Sequence, residues 1–128
     1  MRSSGQNKMQ YFFDSYSIIE IMRKNSSYLK YADSVIITNV LHLAEVYYHL
    51  LINYNEKTAD SWMSKLKLSF IEITPEIAVE ASKFRFKNKK ARLSYADCIG
   101  YITAQKQGLK FLTGDKQFKH MKGVEFVR

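Results

Sequence analysis

The chain has one cysteine, one proline and five glycines in 128 residues, and each scarcity excludes something. A lone thiol, Cys98, cannot close an internal disulfide, so the disulfide-stapled secreted scaffolds are out. So little proline and glycine leaves no room for long linkers, and 46% hydrophobic residues with 14% aromatics is far from the signature of disorder. No apolar run approaches the roughly 20 residues that span a bilayer. The longest, Val40 to Ile52, is interrupted by His42, Glu45 and His49. Nor does the N-terminus show a basic start, an apolar stretch and a small-residue cleavage site, so a reducing cytoplasm and no membrane are the expectation. Acids are also in short supply: 12 Asp plus Glu against 20 Lys plus Arg give a net charge of +8, which favours a polyanionic partner. The positions of those few acids therefore carry the argument.

One domain over residues 9–128 is expected, with residues 1–8 a disordered arm or an expression remnant. Along it, apolar strands and amphipathic helices alternate. Tyr11 to Phe13 reads as a strand stopping at Asp14, followed by a helix from Tyr16 to Lys24; Ser34 to Ile37 reads as a second strand, followed by a helix from Val40 to about Tyr54. A third helix is expected from Thr58 or Asp60 through Leu68, and a third strand over Phe70 to Ile73. Thr74-Pro75-Glu76 has the cap, the first-turn proline and the acid of a helix start. That helix is expected to dissolve from Lys83 into the basic run KFRFKNKKAR, before a fifth opens at Ser94 and ends at Gly108. Lys110 to Thr113 and Val124 to Val127 complete the strands. The alternation predicts an α/β layered fold with a mainly parallel sheet and right-handed crossovers.

In such a sheet, ligands bind beyond the carboxyl ends of the strands where the strand order reverses. Asp14 follows strand one and Asp115 follows strand four; the order 3-2-1-4-5 would make them neighbours. Glu45, two turns into the helix after strand two, and Asp97, in the first turn of the helix before strand four, can lean to the same rim. Four carboxylates repel one another strongly unless a hard divalent cation neutralises them, and oxygen ligands suit Mg²⁺ or Mn²⁺. Such a centre suits metal-assisted phosphodiester hydrolysis. His42 and His49 flank Glu45 on one helical face, but without His-Glu-x-x-His spacing they read better as a hydrogen-bonded core histidine and a polar helix edge than as zinc ligands. Cys98 reads as a small buried hydrophobe. The cations Lys83, Arg85, Lys87, Lys89, Lys90 and Arg92 approach the position of Asp97 and are candidates to grip phosphates; the tyrosines, among them Tyr47, Tyr48 and Tyr54, read as core or interface residues, and none is assigned to RNA.

The stretches YFFDSYSII, NVLHLAEVYYHLL and LSYADCIGYITAQKQGLKFLTGDKQFKHMKGVEFV resemble the PIN-domain pattern: an Asp ending the first strand, a Glu in the helix after the second, an Asp opening a later helix, and Thr-x-Asp after the fourth strand. The resemblance covers nearly the whole chain from Met9. It implies a PIN-like three-layer fold with strand order 3-2-1-4-5, and an endoribonuclease in which Asp14, Glu45, Asp97 and Asp115 hold Mg²⁺ or Mn²⁺. It further implies that Thr113, and more weakly Ser15, orient a carboxylate, a water or the substrate. Similarity to VapC-like members implies the toxin of a toxin–antitoxin pair, with RNA, a small antitoxin and a second copy of the chain as partners. The alternatives are a PIN nuclease of ribosomal RNA maturation and a non-catalytic RNA-binding or scaffold domain.

Overall fold

The carboxyl rim foreseen above exists because β1 lies at the centre of a fully parallel sheet. A computed structural model describes residues 9–33 and 35–128; the expected N-terminal arm, residues 1–8, lies outside them. Five strands, β1 (Tyr11–Phe13), β2 (Ile36–Thr38), β3 (Leu68–Phe70), β4 (Lys110–Thr113) and β5 (Val124–Phe126), run in the order β3-β2-β1-β4-β5. The register sets Phe12 opposite Ile37 on one side and Phe111 on the other. The order reverses at β1 and β4, so Asp14 and the Gly114-Asp115 exit leave the sheet side by side.

Side chains alternate across each strand, and this period builds two cores. Phe12 and Phe111 face α4 (Pro75–Lys87) and α5 (Tyr95–Gln107), packing with Ala81, Leu93, Cys98 and Tyr101. Phe13 and Leu112 face α1 (Ser15–Met22), α2 (Val40–Asn53) and α3 (Glu56–Lys65), packing with Ile18, Tyr28, Val46 and Leu50. The layers are thus helix, sheet, helix. A 3₁₀ segment, Ser26–Tyr31, closes the second core with two buried tyrosines; the Tyr28 hydroxyl donates to the Val127 carbonyl at 2.6 Å, tying the segment to the C-terminus.

Three expectations are corrected. The third strand lies at Leu68–Phe70, not Phe70 to Ile73, because the edge strand is held by its register with β2, Ile36 opposite Leu68 and Thr38 opposite Phe70. The third helix starts at Glu56, where Asn55 accepts from the Thr58 amide at 2.8 Å, and stops before Leu66 and Leu68. The fourth does not dissolve at Lys83 but continues to Lys87, since lysine and arginine are good helix formers and Arg85 and Lys87 complement the dipole in the last turn. A 3₁₀ turn, Lys89–Ala91, then leads to Arg92 in the left-handed region at φ 55°.

Candidate active site

Asp14 is the innermost acid of the rim, 3% exposed. As N-cap of α1, it accepts from the Ser17 amide at 2.8 Å, and its amide donates to the Leu112 carbonyl at 3.3 Å. The Ser17 hydroxyl donates to the same carbonyl at 2.7 Å and Thr38 donates to the Phe13 carbonyl at 2.8 Å, so the β1 exit is fixed from both flanking strands. Burial pushes the Asp14 carboxyl up to about 6, against the lowering effect of hydrogen bonds from Thr113 and Ser17 and of the nearby His42. Ionised, this carboxylate is short of compensating charge.

Thr113 ends β4 fully buried, and its hydroxyl also accepts from the Asp115 amide at 3.0 Å. Asp115 caps the turn Lys116–Phe118, accepting from the Gln117 amide at 2.9 Å. Between them, Gly114 admits the ring of Tyr16: a Cβ there would stand 2.2 Å from Tyr16 Cε1, closer than any side chain permits. Tyr16 thus covers the β4 exit, a role its sequence position did not signal.

Asp97 completes a capping box at the start of α5, accepting from the Ser94 amide at 3.2 Å while its own amide donates to Ser94 Oγ at 3.0 Å. Burial raises its carboxyl, and the neighbouring Asp115 charge raises it further. The two acids are thus near enough to feel each other's charge.

Glu45 is organised through two intermediaries. The Ser15 hydroxyl donates to Glu45 Oε1, and His42 Nδ1 lies 3.5 Å from the same oxygen. Contact with His42 is the main cause holding the Glu45 carboxyl below its ordinary value, and Ser15 adds to it. His42 is fully buried on α2, where Asn39 caps the helix by accepting the His42 amide at 2.9 Å. Its Nδ1 accepts from the Ser15 amide at 3.2 Å and stands 2.8 Å from Ser15 Oγ. A backbone amide can only donate, so the neutral ring carries its proton on Nε2. That nitrogen has no hydrogen-bond partner among the described residues and lies against Gly100 of α5, where a Cβ would sit 2.6 Å away. The expected core histidine is therefore also the joint between α1, α2 and α5, and its charge, when present, acts on Asp14, Glu45 and Asp97. The i−3 spacing from Glu45 was a signal for it; the contact with Ser15, 27 residues away, was not.

Asp97 and Asp115 feel each other's charge and Thr113 links Asp14 to the Asp115 turn, yet each acid is held by its own local hydrogen bonds. Among the described residues no three His, Cys, Asp or Glu side chains form a ready-made cage. Mg²⁺ needs only one or two carboxylates with waters completing its shell, and the buried, upshifted Asp14 beside further oxygen donors suits such a hard cation. His49 sits apart, next to Asn53, and shares no site with His42. Cys98 is buried with its thiol pushed up to about 11 by burial, which suits packing and not nucleophilic attack. Of the basic run, Arg85, Lys89 and Arg92 line one cavity with Tyr95, Lys83 pairs with Glu80 at 3.8 Å, and Lys87 and Lys90 are exposed elsewhere.

A parallel α/β sheet with acids gathered at its carboxyl switch point defines the class. Within it, the model of the PIN domain matches residues 11–124, and the chain belongs to the PIN-domain family. Solved structures agree in fold. A toxin–antitoxin complex from Klebsiella pneumoniae matches with a TM-score of 0.72 at 20% identity, over 91% of this chain and 96% of that one. VapC20 of Mycobacterium tuberculosis, described as a sarcin–ricin loop cleaving toxin, matches with a TM-score of 0.74 at 14% identity, over 93% and 100%. VapBC2 of Rickettsia felis, bound to a DNA fragment from its promoter, matches with 0.72 at 16%, over 94% and 100%. A search of curated proteins found no match. The fold is VapC-like.

Proposed function

We propose that this PIN domain is a divalent-metal-dependent endoribonuclease acting as the toxin of a type II toxin–antitoxin pair in the cytoplasm. The observation that carries the reading is the buried Asp14 carboxyl, raised to about 6 on a rim that also presents Asp97 and Asp115. Asp14, Glu45, Asp97 and Asp115 would hold Mg²⁺ or Mn²⁺, which when bound supplies charge neutralisation and a water of lowered pKa for attack on a phosphodiester.

The chain's own groups supply positioning. Thr113 holds Asp14 and the Asp115 turn at once, so the two strand exits keep a fixed separation. Ser15, itself fixed by His42, holds Glu45 against α1, and the capping box holds Asp97. The exposed cations Arg85, Lys87, Lys89, Lys90 and Arg92 supply a sequence-blind attraction for the RNA backbone. An antitoxin and a second copy of the chain belong to the same reading, supported by the toxin–antitoxin complexes among its structural neighbours and by apolar side chains exposed along α2, among them Val40, Tyr48 and Ile52. Among the described residues no helix is long and apolar enough to cross a membrane.

The test is cleavage of labelled structured RNA by the purified chain in Mg²⁺ or Mn²⁺, beside EDTA and Asp97→Asn. Cutting abolished by EDTA and reduced at least about 1,000-fold by the substitution is the expected result. Cutting that survives both would remove the acidic rim from the chemistry. A protein that binds RNA but cuts none under any divalent ion would instead be the non-catalytic form of the domain.

A further inference from the structure

The corner between α4 and α5 holds a cavity of about 380 Å³ lined by Arg85, Phe86, Lys89, Arg92, Leu93 and Tyr95. Its chemistry is specific. Arg85 lies over the Tyr95 ring at 4.4 Å and Lys89 over the Phe86 ring at 4.9 Å, yet both rings stay open, Phe86 70% and Tyr95 54% exposed. Arg85 Nε donates to the Leu93 carbonyl at 2.9 Å, which orients the guanidinium and leaves its terminal amino groups free of any acidic partner among the described residues. Lys89 and Arg92 likewise have no acidic partner there, in contrast to Lys83 and Lys106, which pair with Glu80 and Glu76. Arg92 occupies the left-handed region, at φ 55° and ψ 40°, a conformation glycine adopts freely and other residues only at a cost. A guanidinium thus stands where backbone conformation alone would favour glycine.

We propose that this corner is a binding subsite for one unpaired nucleotide, its phosphate held by Arg85, Lys89 and Arg92 and its base stacked against Phe86 and Tyr95. The inference rests on the ribonuclease reading and names what that site takes: a single-stranded element, gripped without regard to base identity. Uncompensated guanidinium and ammonium groups suit a phosphate, and open aromatic faces beside them suit a planar base. An acidic peptide would satisfy the cations but leave the two rings unused. The size fits too, since the cavity lies at the small end of ligand pockets, which run from about 300 to 1,000 Å³. Tyr95 and Asp97 share the first turn of α5, two residues apart, where side chains project to different sides of a helix, so a nucleotide held here is a different one from that presented to the acids.

The experiment is fluorescence anisotropy of a labelled single-stranded oligoribonucleotide of mixed sequence, and of a blunt duplex of the same length, in EDTA across a salt series. The proteins are the full chain, Phe86→Ala and Arg92→Gly. Phe86→Ala should weaken single-strand binding about 5- to 150-fold, the range expected for one lost stacking partner, with the salt slope unchanged and duplex binding unaffected. Arg92→Gly should lower the salt slope by about 0.7 on the single strand while leaving Tm unchanged or raised, which a merely structural role for the arginine would not do. No single-strand binding by the unsubstituted chain, equal effects of Phe86→Ala on strand and duplex, or displacement by an acidic peptide that Phe86→Ala does not disturb would each overturn the subsite. RNA cutting in Mg²⁺ with binding indifferent to Phe86 would overturn the subsite and keep the nuclease. Stacking that depends on Phe86 in a chain that never cuts would do the reverse.

Discussion

The acidic rim and the α4–α5 corner lie at opposite ends of α5's first turn in character, and they handle polar groups in opposite ways. At the rim every acid is engaged from within: Ser17 and Thr113 on Asp14, Ser15 on Glu45, Ser94 on Asp97, the Gln117 amide on Asp115. At the corner the cations are exposed and rest on aromatic rings or a carbonyl, without acids. Buried polar groups need complete internal partners, whereas exposed ones are served by water. On the proposed reading the rim serves geometry and the corner affinity, and substitutions should separate the two.

The largest separation is expected at Asp14. Its carboxyl stays protonated in the fold up to about pH 6, whereas the unfolded chain ionises near 3.8. The favourable contribution is therefore present below about pH 4 and is lost as pH rises through 6. A shift of that size is worth about 3 kcal/mol. Asp14→Asn should abolish cutting and, in EDTA at pH 8, raise stability by about 1–3 kcal/mol, the gain shrinking toward pH 4. Denaturant melts at the two pH values measure it; a variant weaker than the parent at pH 8 would contradict a penalised buried charge. The same ionisation predicts that affinity for Mg²⁺ or Mn²⁺ weakens as pH falls below about 6, which metal titrations at several pH values read directly.

Next comes Gly100. An alanine Cβ, 2.6 Å from His42 Nε2, forces the imidazole away from α5. Overpacking should exceed the helix-propensity gain and leave a net loss of about 1–2 kcal/mol. Cutting should fall with it, through Ser15 and Glu45, while the salt dependence of RNA binding stays as it was. Unchanged cutting in Gly100→Ala would show that His42 does not position the rim. The smallest effect is expected at Ser94. Losing one side of the capping box should lower stability by about 1 kcal/mol in Ser94→Ala, with a modest loss of cutting as Asp97 is released. An equal loss of RNA affinity would erase the distinction between rim and corner at their shared turn.

What the sequence made legible followed from buried periodicity. Phe12-Phe13 and Phe111-Leu112 sit on two faces of central strands, and Ser94 with Gly108 bounds α5 by cap chemistry that needs no tertiary help. Where burial is weak, the reading slipped. The edge strand β3 has Ser69 and Phe70 exposed, so no alternation marked its place. In α4 the basic residues resembled loop, although they extend the helix. Near the proposed site, Asp14, Asp97 and Asp115 could be placed from the sequence because they follow a strand or open a helix, whereas Glu45 lies in the second turn of α2. The partners that aim them, His42 for Ser15 and Tyr16 over Gly114, depend on contacts distant along the chain, and no local pattern encodes them.

Because β1 is paired on both sides, by β2 and by β4, the backbone that carries Asp14 is shielded from every route of partial opening that starts at a sheet edge. Fraying can strip β3 or β5 and still leave Asp14 capped. In native-state hydrogen exchange, the amides of Phe13, Asp14 and Leu112 should thus be released only with global unfolding, and those around Lys89 to Arg92 long before. The acid proposed to hold the metal would be the last part of the molecule to come undone, and the corner proposed to take the nucleotide among the first.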